Sequence, residues 1–132
     1  VTSTIAIVED DDIMREALHG LILSFGYEPL TFASAEDYAA SACSVDCLIL
    51  DVRLPGIGGL QLHRHLRDAG HAPPVIFLTS YGDDDTRARA LSGGALFVLS
   101  KPADDETILA CIDAALARTA AGSHPLSKPG PE

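Results

Sequence analysis

Apolar residues along this chain fall into five short runs, and between them lie segments whose hydrophobic positions recur every three to four residues. The runs at residues 4–8, 46–50 and 74–78 are nearly continuous in Ile, Val, Leu and Phe, as expected of parallel strands covered on both faces. Residues 28–32 are more mixed and read as an edge strand, and residues 95–99 supply the fifth.

The first helical segment follows Asp11 and Asp12. Ile13/Met14, Ala17/Leu18, Leu21/Ile22 and Phe25 form one predicted buried stripe, and Gly26 stops the helix in the C′ position. The second opens at Ser34 with Asp37 three residues on, a short version of the capping box. The third runs from about Gly59, burying Leu62, Leu66 and Ala69, to Gly70. The fourth starts within Asp83-Asp84-Asp85, where carboxylates favour a helix N-terminus. The fifth begins near Asp104 and carries Ile108, Ile112, Ala115/Leu116 and Thr119 on one side. Strands alternating with helices imply a parallel sheet with right-handed crossovers, hence a three-layer α/β sandwich. Residues 1–120 read as one domain and 121–132, rich in Gly, Ser and Pro, as a flexible linker or tail.

Composition narrows the function. A formal charge of -10 over 132 residues argues against nucleic-acid contact by this segment, because phosphate recognition needs clustered Lys and Arg. No apolar stretch reaches the roughly 20 residues of a membrane span, and none reads as a signal peptide, so a cytoplasmic protein is expected. Cys43, Cys47 and Cys111 form neither a CxxC pair nor a disulfide framework and read as small core residues. His63 and His65 are two apart on a helix and point in different directions, which disfavours a shared metal.

In a parallel sheet every strand ends on one edge, where open α/β sheets bind their ligands. Here that edge collects Glu9-Asp10 with Asp11 and Asp12 beyond, Asp51, Thr79-Ser80, and Ser100-Lys101-Pro102. Each residue alone has an ordinary explanation, as a helix cap or an exposed charge. Together they form an all-oxygen, acid-rich rim with one ammonium. Carboxylates a few ångströms apart repel by about 4 kcal/mol per close pair at an effective dielectric of about 20, so they share protons or bind a hard cation. Mg²⁺ suits such ligands, with Mn²⁺ as an alternative. Asp51 could then act as a nucleophile on phosphorus, with Thr79, Lys101 and the metal stabilising the transferring group.

Glu9-Asp10, Asp51, Pro55-Gly56 with Gly59, Thr79, Gly94-Ala95 and Lys101-Pro102, in this order over residues 3–118, resemble the receiver domain of bacterial two-component response regulators. Residues 32–38 and 74–79 look most like the FixJ-like group. The resemblance implies a (βα)5 flavodoxin-like sandwich of strand order 2-1-3-4-5. Asp51 would be the phosphoacceptor, becoming an aspartyl phosphate. Asp10 and Asp51 would bind Mg²⁺ by carboxylate, Glu9 through water, and Arg53 by its backbone carbonyl. Thr79, beside Ser80, would report the phosphoryl group to the face formed by helix 4, strand 5 and helix 5. Lys101 would pair with a phosphoryl oxygen, with its bond to Pro102 cis. Hydrolysis would be tuned at Arg53 and Tyr81. The implied donor is a sensor histidine kinase, and the implied role is phosphorelay signalling rather than enzymatic turnover of a separate substrate. Dimerisation on phosphorylation and a C-terminal LuxR-type DNA-binding domain controlling transcription complete the expectation.

Three departures stand out. Glu9 replaces the commoner Asp, and Ala103 stands where an aromatic is common. Val98 occupies the position, three before the lysine, that usually carries the Tyr or Phe of the switch, while Phe97 beside it should face the other side of the sheet. These predict a muted aromatic switch, with signal carried by the loops and helix 4. Other functions fit less well. A haloacid-dehalogenase-type phosphatase needs an acid where Arg53 stands, and flavin binding would meet repulsion from residues 9–12. A degenerate receiver acting by docking alone is the main alternative.

Overall fold

The computed structural model describes residues 2–70, 72–80 and 84–123, with side chains as far as Arg118 in the last helix. Five strands, β1 (Thr4–Val8), β2 (Glu28–Phe32), β3 (Cys47–Leu50), β4 (Val75–Thr79) and β5 (Phe97–Ser100), alternate with five helices. These are α1 (Asp12–Ser24), α2 (Ala35–Ser41), α3 (Gly59–Asp68), α4 (Asp84–Ser92) and α5 (Asp105–Ser123). All strand pairs are parallel, in the order β2-β1-β3-β4-β5. The expected (βα)5 flavodoxin-like sandwich is therefore the observed one, with β2 on an edge.

Strand side chains alternate between faces, so each central strand feeds two cores. Ile5, Ile7, Ile49, Ile76 and Leu78 meet Leu18 and Ile22 of α1 and Ile108 and Ile112 of α5. Ala6, Val8, Leu48, Leu50 and Phe77 meet Tyr38 of α2, Leu62 of α3 and Ala90 of α4. Each fully buried Leu, Ile or Phe contributes about 1.5–3 kcal/mol relative to exposure. The sheet is thereby clamped from both sides, and its C-terminal edge becomes a firm platform.

Local signals explain the helix starts. The Asp11 carboxylate accepts the Met14 N–H at 2.9 Å, and the Ser34 hydroxyl accepts the Asp37 N–H at 3.0 Å. Gly26 and Gly70, at φ of 89° and 78°, take the left-handed step after α1 and α3.

Several sequence expectations shift. Ile13 is 83% exposed and Ala17 is exposed, so the buried stripe of α1 narrows to Leu18 and Ile22, with Met14, Leu21 and Phe25 partly covered. Ile13 sits in the first turn, at the rim of the sheet. Ala69, the C-cap of α3, is exposed as well. Cys43 is exposed, unlike Cys47 and Cys111, because it follows the chain reversal at Ala42 (φ 51°) instead of lying on a packed element. Strand β5 pairs from Phe97 to Ser100 instead of the expected 95–99, and α5 continues through residues 121–123, while 124–132 of the expected linker lie outside the described residues. The predicted placement of Thr119 also lies outside the described side chains.

Candidate functional site

Glu9 follows β1, Asp51 follows β3, Thr79 ends β4 and Lys101 follows β5. The backbone locks these strand ends together: the Asp51 N–H donates to the Val8 carbonyl at 3.2 Å and the Lys101 N–H to the Thr79 carbonyl at 2.8 Å. Glu9 (3% exposed), Asp51 (7%) and Thr79 (0%) are buried, whereas Asp10 is exposed. The hydrogen bond from Arg53 N–H to Asp51 Oδ1, 3.1 Å, is the tight turn that follows the acid.

Lys101 reaches across the rim. Its Nζ donates to Glu9 Oε1 at 2.5 Å and to Asp51 Oδ2 at 3.0 Å. The Asp11 N–H approaches the other Glu9 oxygen at 3.2 Å. Burial raises the Glu9 carboxyl above its ordinary pKa; the Lys101 and Asp11 hydrogen bonds oppose the rise, and the Asp51 charge adds to it. For Lys101 burial works against the ammonium, yet its bonds to Glu9 and Asp51 together outweigh it and raise the pKa. The lysine therefore stays charged, and Glu9 still lacks positive charge.

That deficit has a natural complement. One carboxylate oxygen from each of Glu9, Asp10 and Asp51 lies within 4.8 Å of the others. Three carboxylates against one ammonium leave two formal negative charges, which a hard divalent cation with oxygen ligands neutralises. The donor set fits Mg²⁺, with no soft ligand among the three.

Sequence reasoning missed two supporting groups. Arg15 Nη1 donates to the Glu9 carbonyl at 2.9 Å, and its second nitrogen pairs with Asp12. A guanidinium thus holds the acidic turn from the first turns of α1. Only its place on the inward side of that helix could have signalled this. Glu36 of α2 accepts the Ile57 N–H at 3.1 Å, pinning the loop beyond Asp51. Gly56 there has φ 76°, and a Cβ on it would come within 2.3 Å of Glu36 Oε2. At Gly59 a Cβ would fall 2.0 Å from the Asp51 carbonyl oxygen, which explains a glycine at the start of α3.

The remaining predicted residues are placed as follows. The Lys101–Pro102 peptide is cis. Ser80 is exposed, and Tyr81 lies outside the described residues. Val98 is buried among Phe77, Ala90 and Leu62, while Phe97 packs on the opposite face with the α1/α5 core. Regular pairing of Phe77 with Val98 and of Thr79 with Ser100 leaves no bulge that would swap the two. Arg87 of α4 donates to the Val98 carbonyl at 2.8 Å.

Among the described residues no helix is long and apolar enough to cross a membrane. The transcriptional regulatory protein TdiR of Thauera aromatica is 38% identical over 117 residues, covering 87% of this chain and 52% of TdiR. The response regulator protein TodT of Pseudomonas putida is 40% identical over 118 residues, covering 86% and 51%. This chain thus spans about half the length of these curated relatives. The solved structure of the response regulator StyR superposes with a TM-score of 0.87 at 31% identity, covering 95% of this chain and 64% of StyR. The response regulator receiver domain family matches residues 5–113. With five alternating βα units and an acidic rim that suits Mg²⁺, this chain belongs to that family, whose members signal through their own phosphorylation instead of turning over a separate substrate.

Proposed function

We propose that Asp51 accepts a phosphoryl group from the phosphohistidine of a sensor histidine kinase, and that the aspartyl phosphate controls a transcriptional output. The observation that carries this reading is the Lys101 ammonium bridging Glu9 and Asp51 at 2.5 and 3.0 Å. It keeps a cation beside an otherwise repulsive set of acids.

A carboxylate oxygen of Asp51 attacks phosphorus, the P–N bond to the donor imidazole breaks, and the imidazole nitrogen leaves with the bonding pair. Bound Mg²⁺ supplies charge neutralisation for the phosphoryl oxygens. Asp10 and Asp51 would hold it by carboxylate, Glu9 mainly through water, and Arg53 by its carbonyl. Lys101 then trades a carboxylate partner for a phosphoryl oxygen. Thr79 donates its hydroxyl proton to another phosphoryl oxygen, with Ser80 beside it, and Tyr81 with Arg53 governs access of hydrolytic water. The new group adds about -1.5 to -2 charges, enough to shift a two-state equilibrium.

Relatives of which this chain spans only about half the length, named as transcriptional regulatory proteins, support a DNA-binding domain in the full protein. Two FixJ proteins similar to this chain, one of them 37% identical, favour the FixJ-like group. Residues 1–120 act as the receiver and 121–132 as a linker or tail, in a cytoplasmic regulator that dimerises on phosphorylation. Incubation with acetyl phosphate and Mg²⁺ followed by mass spectrometry tests the assignment. Wild type should gain one phosphoryl group and Asp51→Asn none; an equal adduct on both would remove Asp51 from the role.

A further inference from the structure

We infer that the groove between α3 and α4 is a docking site for a short acidic, carboxylate-bearing peptide segment of a partner protein. Arg64, Arg67 and Arg89 line this groove of about 400 Å³, with Leu60 and Ala88 as its aliphatic walls. The chain has nine basic residues against nineteen acidic ones, yet three of the nine meet here, and among the described residues no carboxylate lines the groove. Among the described residues none of these three guanidiniums takes part in an ion pair.

The geometry holds the charges in place. A Cβ on Gly94 would lie 3.6 Å from Arg67 Cδ and 3.7 Å from its Nε, so the Arg67 stem rests on the α4–β5 turn. At Gly93 the corresponding distance to Arg67 Nη1 is 3.7 Å. A Cβ at either glycine would stand in ordinary van der Waals contact with Arg67, so its side chain lies close along this turn. The floor records the same field: His63, buried beneath, has its pKa lowered by burial and by the Arg67 charge.

Planar guanidinium forks match carboxylates in pairs of parallel hydrogen bonds, and the unpaired trio repels itself until an anion arrives. The overall charge of -10 opposes a long polyanion laid along the surface. A short segment is different, because at physiological salt the field is felt over only about 8 Å and the groove's own charges dominate. Leu60 and Ala88 offer apolar contact between acidic side chains. This inference is independent of Asp51 chemistry and is tested on the unphosphorylated chain.

The experiment titrates hexaglutamate, and separately inorganic pyrophosphate, into the ¹⁵N-labelled protein at physiological salt. Hexaglutamate should give saturable amide shifts centred on Leu60, Ser92 and Gly93. Joint Arg64→Gln and Arg89→Gln substitution should weaken it by about tenfold or more, because binding rests on charge complementarity. Arg118→Gln, on α5, should leave it unchanged, and Arg64→Lys with Arg89→Lys should restore part of the affinity. Matching melting temperatures confirm that the variants fold. The proposal is overturned by shifts that never saturate, by shifts spread equally around Arg15, Arg53 and Arg118, or by pyrophosphate saturating the groove where hexaglutamate does not.

Discussion

Lys101 Nζ lies 3.0 Å from Asp51 Oδ2 across fifty residues of sequence, and the same ammonium holds Glu9. Three strand ends are thus joined through one side chain. Lys101→Ala should leave Glu9 buried without its cation and lower stability by about 1–3 kcal/mol at neutral pH. Phosphorylation by acetyl phosphate should slow by about tenfold or more, while Mg²⁺ affinity is kept or increased because a competing cation is gone. Thermal melts, Mg²⁺ titration and mass spectrometry read the three effects separately.

Arg15 is the next place to probe, since its 2.9 Å bond to the Glu9 carbonyl fixes the turn that carries Asp10. Arg15→Ala should weaken Mg²⁺ binding by about threefold to tenfold, the equivalent of a net hydrogen bond of ordinary strength. Arg15→Lys should recover only part of this, because one ammonium cannot serve the carbonyl and Asp12 with a guanidinium's geometry. Calorimetric titration with Mg²⁺ is the measurement. Unchanged affinity in both variants would make Arg15 a surface residue only.

His63 supplies a pH dependence. Burial, then the Arg67 charge, lowers its pKa below 6.5, and its ring meets Phe77 edge-on at 5.8 Å. The unfolded chain therefore binds a proton more readily than the folded one. Its contribution is fully present above pH 6.5 and is lost as pH falls from there through the folded pKa. Denaturant unfolding between pH 7.5 and 5 should show a steeper loss for wild type than for His63→Phe. Parallel curves would remove His63 from the account.

The cysteines should separate cleanly. Burial pushes the Cys47 thiol up to about 12 and raises Cys111, whereas Cys43 is exposed. Because the thiolate is the reactive form, a maleimide at pH 8 should label Cys43 alone in the native protein and all three after unfolding. Peptide mapping after brief labelling decides it, and prompt native labelling of Cys47 would contradict the packing of β3.

Val98 bears on how the signal leaves the site. It is buried opposite Phe77 on the α3/α4 side, and Phe97 faces α5, so no aromatic ring occupies the usual switch position. On beryllofluoride binding, amide shifts should reach helix α4 and its Arg87 link to the Val98 carbonyl without an aromatic rotation at residue 98. Shifts confined to Glu9, Asp10, Asp51 and Lys101 would show that the strand 5 route is silent, not merely muted.

Hydrophobic patterning was enough to read the strands and helices, because burial on two faces demands near-continuous apolar strands and burial on one demands a helical stripe. The acids, Thr79 and Lys101 were legible for a related reason. Parallel strands deliver their ends to one edge, so position after a strand already implies proximity. Ile13 misled, since periodicity marks the inward direction of a helix but not how far the sheet extends beneath it. Cys43 misled because an apolar neighbourhood in sequence is not a packed one once Ala42 turns the chain.

What the sequence by itself determined was the order of elements, the sheet they build and the membership of the acidic rim. Only the tertiary structure decided which groups touch. It set the double reach of Lys101, the Arg15 brace, the 2.5 Å Tyr27–Asp113 bond across 86 residues, and the gathering of Arg64, Arg67 and Arg89 along the groove between α3 and α4. Local patterns follow from burial, which each residue type signals alone. Pairing depends on side-chain reach and helix placement in three dimensions, which no single position along the chain records.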